Sequence, residues 1–148
     1  MRARFATATA VVLLAGCGSG SPPDEATSRS QIEQTVLDVH RYEREGNGEA
    51  ACGLFTEDTR EKTVESDRKV RADKPAESCE EAIEKQAYVY SLGSAGEIMR
   101  NVVVDAVQID GERATATTHT SAHQNGVLVQ IPPTTFQFRW EDGRWRMG

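Results

Sequence analysis

A chain of 148 residues is long enough for one ordinary domain and too short for two. With 17 basic residues against 23 acidic ones it carries a formal charge of −6. That balance argues against nucleic acid as a partner, because affinity for phosphates comes mainly from Lys and Arg. No stretch reaches the ~18–20 apolar residues that a membrane-spanning helix requires.

The N-terminus reads as an address and an anchor. Met1-Arg2-Ala3-Arg4 is a short basic start, and Phe5 to Gly16 is an apolar run without charge, the shape of a secretory signal peptide. The run ends in Leu14-Ala15-Gly16-Cys17, which resembles the lipobox of bacterial lipoproteins. Small residues before the cysteine suit a narrow peptidase groove. The resemblance implies a diacylglyceryl group on the Cys17 thiol, with the palmitate-type acylation of such proteins. Two or more acyl chains anchor stably where one holds only reversibly. Gly18 to Arg29 is a Gly/Ser/Pro-rich polar stretch, expected to act as a flexible tether. Loss of Arg2 and Arg4 with the leader shifts the formal charge from −6 to −8, so lipid rather than surface charge would hold the chain at a membrane. The expected organisation is a leader over 1–16, a lipidated Cys17 and tether over 17–29, and a folded domain over 30–148, exported and lipid-anchored on the extracytoplasmic face.

Cys52 and Cys79 remain as an even pair, and an exported chain with a small core favours a disulfide between them. Metal sites usually place ligand pairs two to four residues apart, and His40, His119 and His123 do not supply matching spacing. Free thiols are the remaining reading. No metal and no cofactor is expected.

Ser30-Gln31-Ile32-Glu33 has the form of a capping box and opens a helix in which Ile32, Val36, Val39 and Glu43 recur at helical spacing. Gly46-Asn47-Gly48 stops it, and a short second helix follows from Glu49 to Phe55. Ser78-Cys79-Glu80-Glu81 is a second capping box, opening a helix from Cys79 to about Tyr90. Both cysteines fall on apolar helix faces. Between these helices, Thr56 to Glu77 carries 13 charged residues in 22 and is expected to be a solvated loop with a helical turn or two. Gly93 to Gly96 is expected to be a connector.

From Asn101 the period changes to two. Val102 to Ile109 and Arg113 to Ala122 are strands joined at Asp110-Gly111, a strong hairpin signal. Val127 to Ile131 and Thr134 to Trp140 follow, separated by Pro132-Pro133, which demands a bulge or kink. Asp142-Gly143 turns into a last strand, Arg144 to Met147. Phe136, Phe138 and Trp140 alternate against Gln137 and Arg139. Asp105 is expected to share its side with Val103, Val107 and Ile109, with His119 opposite Ala114 and Ala116.

About three helices packed on a curved antiparallel sheet make an α+β domain. This order, with both cysteines in the helical half and Glu141-Asp142-Gly143-Arg144-Trp145 near the end, resembles small exported lipoproteins of actinobacteria in the nuclear-transport-factor-2-like superfamily. That resemblance spans residues 30–148 and implies a cystatin-like α+β cone. Enzymes of the superfamily, of polyketide-cyclase and isomerase type, place an acid–base pair inside the cone. His40, Tyr42, Tyr88, Tyr90, Asp105, Phe136, Phe138 and Trp140 are the candidate pocket residues, with no catalytic residue assigned. The leading reading is a non-catalytic envelope lipoprotein that binds a small ligand, a second copy or another envelope protein. The alternative is a membrane-tethered enzyme using Asp105 with His40 or a tyrosine.

Overall fold

The computed structural model describes residues 20–148 apart from 92 and 125, so the leader and Cys17 lie outside the described residues. Five helices precede four strands: α1 (Glu25–Glu45), α2 (Gly48–Cys52), α3 (Glu57–Val70), α4 (Cys79–Tyr90), α5 (Gly93–Arg100), β1 (Val102–Asp110), β2 (Arg113–Gln124), β3 (Val127–Glu141) and β4 (Arg144–Met147). The strands form one antiparallel sheet in the order β1-β2-β3-β4, giving an α+β architecture.

Helix α1 starts at Glu25, ahead of the Ser30 capping box and inside the segment expected to be tether. Asp24 is the cap, accepting from the Thr27 amide at 3.1 Å. Ser28 is fully buried and donates to the Pro23 carbonyl, and the Arg29 guanidinium donates to the Val107 carbonyl at 2.8 Å. Residues 24–29 therefore belong to the domain. The inner stripe of α1, Ile32, Val36 and Val39, is buried against the sheet and the other helices. Gly46, at φ 71°, ends the helix in a left-handed cap.

Helices α2 and α4 meet at the Cys52–Cys79 bridge, with Cα atoms 6.1 Å apart. The contact is close enough that a Cβ on Gly48 would lie 2.4 Å from the Glu80 carbonyl oxygen, so only glycine fits there. Of the charged segment after Thr56, Glu57–Val70 is not a loop but the helix α3, and the connection to α4 follows it. Its charges fall at helical spacing: Asp58 pairs with Lys62, Glu65 with Lys69 at 2.8 Å, and Asp67 with Arg71. Glu57 and Asp58 sit in its first turn and Arg68 and Lys69 in its last, each complementing the helix dipole. Arg60–Glu80, at 3.0 Å, ties α3 to α4. The Gly93 to Gly96 segment is likewise helical, as the start of α5, rather than a connector.

In the sheet, Pro132-Pro133 falls where the β2–β3 register slips between Thr118 and Thr120, as the missing amides demand. A second irregularity lies in β1 between Val104 and Ala106. The extra residue there is Asp105, and it reverses the alternation. Val107 is buried and Ile109 half-buried, while Val103 and Asp105 are exposed, so Asp105 does not share a side with Val107 and Ile109. Ala114, Ala116 and Phe138 on the inner face join Trp145 and Met147 of β4 and the α1 stripe in the core. Asp142 and Gly143, at φ 52° and 74°, form the tight β3–β4 turn that needs two left-handed residues.

The bridge closes a loop of sequence separation 27 in the unfolded chain. Its reduction, or Cys79→Ser, is expected to lower stability by roughly 3–4 kcal/mol. Denaturant unfolding with and without reductant measures this, and a loss below ~1 kcal/mol would contradict it.

Candidate functional site

The sequence-derived pocket residues are scattered over separate environments. Phe138 is 1% exposed and belongs to the core rather than to a pocket. Tyr88 is 71% exposed on the outer side of α4 and lines nothing inward. Trp140 is half-buried, edge-on to Trp145 at 5.6 Å, and its Nε1–H donates to the Gly20 carbonyl. Tyr42 is half-buried against the core, with the Arg41 guanidinium over its ring at 4.6 Å. Asp105 faces solvent and pairs with His119 Nδ1 at 2.6 Å, both side chains being well exposed. His40, on α1, is half-buried, its ring edge-on to Phe136 at 5.6 Å. The acid–base pair of Asp105 with His40 is therefore not formed, because the bulge at Asp105 turns its carboxylate out.

What gathers instead is a cluster at the C-terminal end of α1. His40 donates from Nδ1 to the Val36 carbonyl at 2.8 Å, which leaves Nε2 as an acceptor. Burial pushes its pKa below the ordinary value, keeping the ring neutral. One turn further, burial raises the Glu43 carboxyl from the ordinary 4.5 to about 7. Tyr90 of α4 is pushed up to about 12, by burial first and then by the Glu43 charge. Its hydroxyl accepts from the Gln86 amide.

Glu43 and Gln86 open into a cleft of about 410 Å³ between α3 and α4. Thr59, Thr63 and Ser66 of α3 supply hydroxyls along one wall, and Ala82, Ile83 and Val89 of α4 supply an apolar wall opposite. Val70 and Val89 are exposed at its rim. The two cations that line it are already engaged. Lys62 pairs with Asp58, while Arg71 pairs with Asp67 and donates to the Lys85 carbonyl at 3.1 Å. Asp67 is also satisfied, accepting from the Ala76 amide at 2.7 Å. Glu43 alone among the described acidic residues of the cleft has no ion-pair partner.

Sequence reasoning placed Glu43 on the Ile32–Val36–Val39 stripe but did not select it. The available signal was a carboxylate continuing a buried apolar stripe. The missing part was α3, without which one wall of the cleft does not exist. Among the described residues no group of three or more His, Cys, Asp or Glu is placed to hold a metal ion.

No family model matches the chain, and neither does any curated relative. Two solved structures resemble it. One is a substituted variant of a chain named Rd1NTF2_05, with 16% identity over 84% of this chain and 95% of that one at a TM-score of 0.48. The other is an NTF2-like protein with a cystatin-like fold from Novosphingobium aromaticivorans, with 17% identity over 82% of this chain and 78% of that one at a TM-score of 0.45. At such identities the likeness carries no assignment of function.

Between the unfolded and folded pKa values of Glu43 the folded chain binds more protons, so stability falls as pH rises through that window. Glu43→Gln removes this fall. Relative to the native chain, the variant is expected to gain about 3 kcal/mol between pH 4 and pH 8. Denaturant unfolding across that range measures the gain, and parallel pH profiles would contradict it.

Proposed function

We propose that this chain is an exported, lipid-anchored envelope protein whose domain, read as a nuclear-transport-factor-2-like module, binds a small ligand in the α3–α4 cleft. The observation that carries the binding reading is Glu43, a half-buried carboxylate without an ion-pair partner in the lining of a cleft. A buried carboxylate is costly to ionise unless a cation or hydrogen-bond donor meets it. The lining gives the ligand a mixed character, with a donor group toward Glu43 and an apolar portion against Ile83, Val89 and Val70. An amine-bearing amphiphile satisfies both. Its charge would restore the ionised carboxylate, so its affinity rises with pH through the Glu43 titration.

The membrane reading rests on the sequence at Leu14 to Cys17 and on the count of acyl chains that such a cysteine carries. Among the described residues no helix is long and apolar enough to cross a membrane. The enzyme alternative required Asp105 beside His40 or a tyrosine, and Asp105 is instead paired with His119.

Two experiments test these readings separately. Hexylamine is expected to raise the denaturation temperature of the native chain at pH 8, and hexanoate is not. Glu43→Gln should abolish the amine effect; an equal rise in the variant would overturn the assignment. Cys17→Ala should move the protein from the membrane to the soluble fraction, and retention after carbonate washing would overturn anchoring through that residue.

A further inference from the structure

Strand β3 runs from Val127 to Glu141, but β4 pairs only with its end, from Phe138 to Glu141. Beyond the Gly148 amide, which donates to the Gln137 carbonyl, no described strand covers the same edge toward Val127. β2 occupies the other edge as far as Val127, so the free edge is held extended and in register. Such an edge presents a row of backbone amides and carbonyls ready to pair with another strand.

Protected edges carry charges, prolines or bulges. Here Pro132-Pro133 and the accompanying register slip protect the middle of the strand, but Val127 to Ile131 has neither charge nor proline. Its side chains are also left open to solvent, with Val127 at 64%, Leu128 at 57% and Val129 at 40% exposure. No charged residue occurs from Val127 through Phe138.

We infer that the free edge of β3 from Val127 to Ile131 pairs antiparallel with the same edge of a second copy of this chain. The segment is complementary to itself. A two-fold axis at Val129 sets Val127 opposite Ile131 and Leu128 opposite Gln130, joining an apolar row on one face of the combined sheet. The net charge of −6 disfavours self-association elsewhere, and this uncharged edge lets two copies meet without like charges in contact. A ladder this short buries less than the ~1,200 Å² of a standard interface, so the dimer is weak and depends on concentration. The proline pair stops the ladder, because neither residue has an amide to donate.

Cysteine cross-linking of the full chain in detergent tests this pairing against a face-to-face one. Directly opposed residues in an antiparallel pair bring Cα atoms to ~4.5–5.5 Å, within disulfide reach. Val129→Cys is expected to form a disulfide-linked dimer on mild oxidation, with peptide mapping to locate the bond at position 129. Val127→Cys and Ile131→Cys are expected to cross-link when mixed and not when oxidised alone. Thr135→Cys, exposed on strand β3 beyond the proline pair, should not cross-link. Faster linkage at 135 than at 129, or none at 129, would overturn the proposal. Sedimentation needs no cysteine variant: the native chain should dimerise with rising concentration and Val129→Lys should weaken this at least tenfold. A native chain that stays monomeric across the range would also overturn it.

Discussion

The contact on which the rest of the molecule depends is the α1 stripe of Ile32, Val36 and Val39, packed against β1 and β4 in one core with Val107, Trp145 and Met147. Ala114 and Ala116 of β2 and Phe138 of β3 complete that core from the inner face of the sheet. Full burial of each large apolar side chain contributes ~1.5–3 kcal/mol, so this layer is a main source of the domain's stability. It also sets the position of everything else. α4 packs on α1, α2 is stapled to α4, and α3 is held to α4 by Arg60–Glu80.

Glu43 is a consequence of that same stripe. Helical periodicity carries the inward direction on from Val39, and at Glu43 the position is occupied by a carboxylate. Lys62 and Arg71 are near enough to line the same cleft, yet Asp58 and Asp67 hold both. The result is a titratable group whose pKa of about 7 comes from burial alone. A purely structural helix would place Leu or Ala there at no electrostatic cost. The unusual choice is what gives the cleft chemical character.

The architecture was largely legible in the sequence because it is carried by local signals. The second capping box, the Asp110-Gly111 and Asp142-Gly143 turns and the period of two after Asn101 each fall in their structural places. Besides the helical Gly93 to Gly96 segment, three features were not legible, for separate reasons. Helix α3 has almost no apolar face, so the period of its salt bridges rather than of its hydrophobic residues defines it. The start of α1 is set by Asp24 and by the long-range Arg29–Val107 bond, which no local pattern predicts. Asp105 is turned outward by a bulge, and strict alternation assigns every residue across a bulge to the wrong face. The site was missed for the first of these reasons, since its wall is α3.

The central claim is that Glu43 lines the cleft half-buried and without an ion-pair partner. Its carboxyl carbon can be followed directly by carbon-13 NMR as the pH is raised, with Glu43→Gln identifying the signal. The account predicts a midpoint near the value of about 7 that burial imposes, well above the surface glutamates. A midpoint at the ordinary 4.5 would mean that the carboxylate is solvated or paired, and would contradict the account.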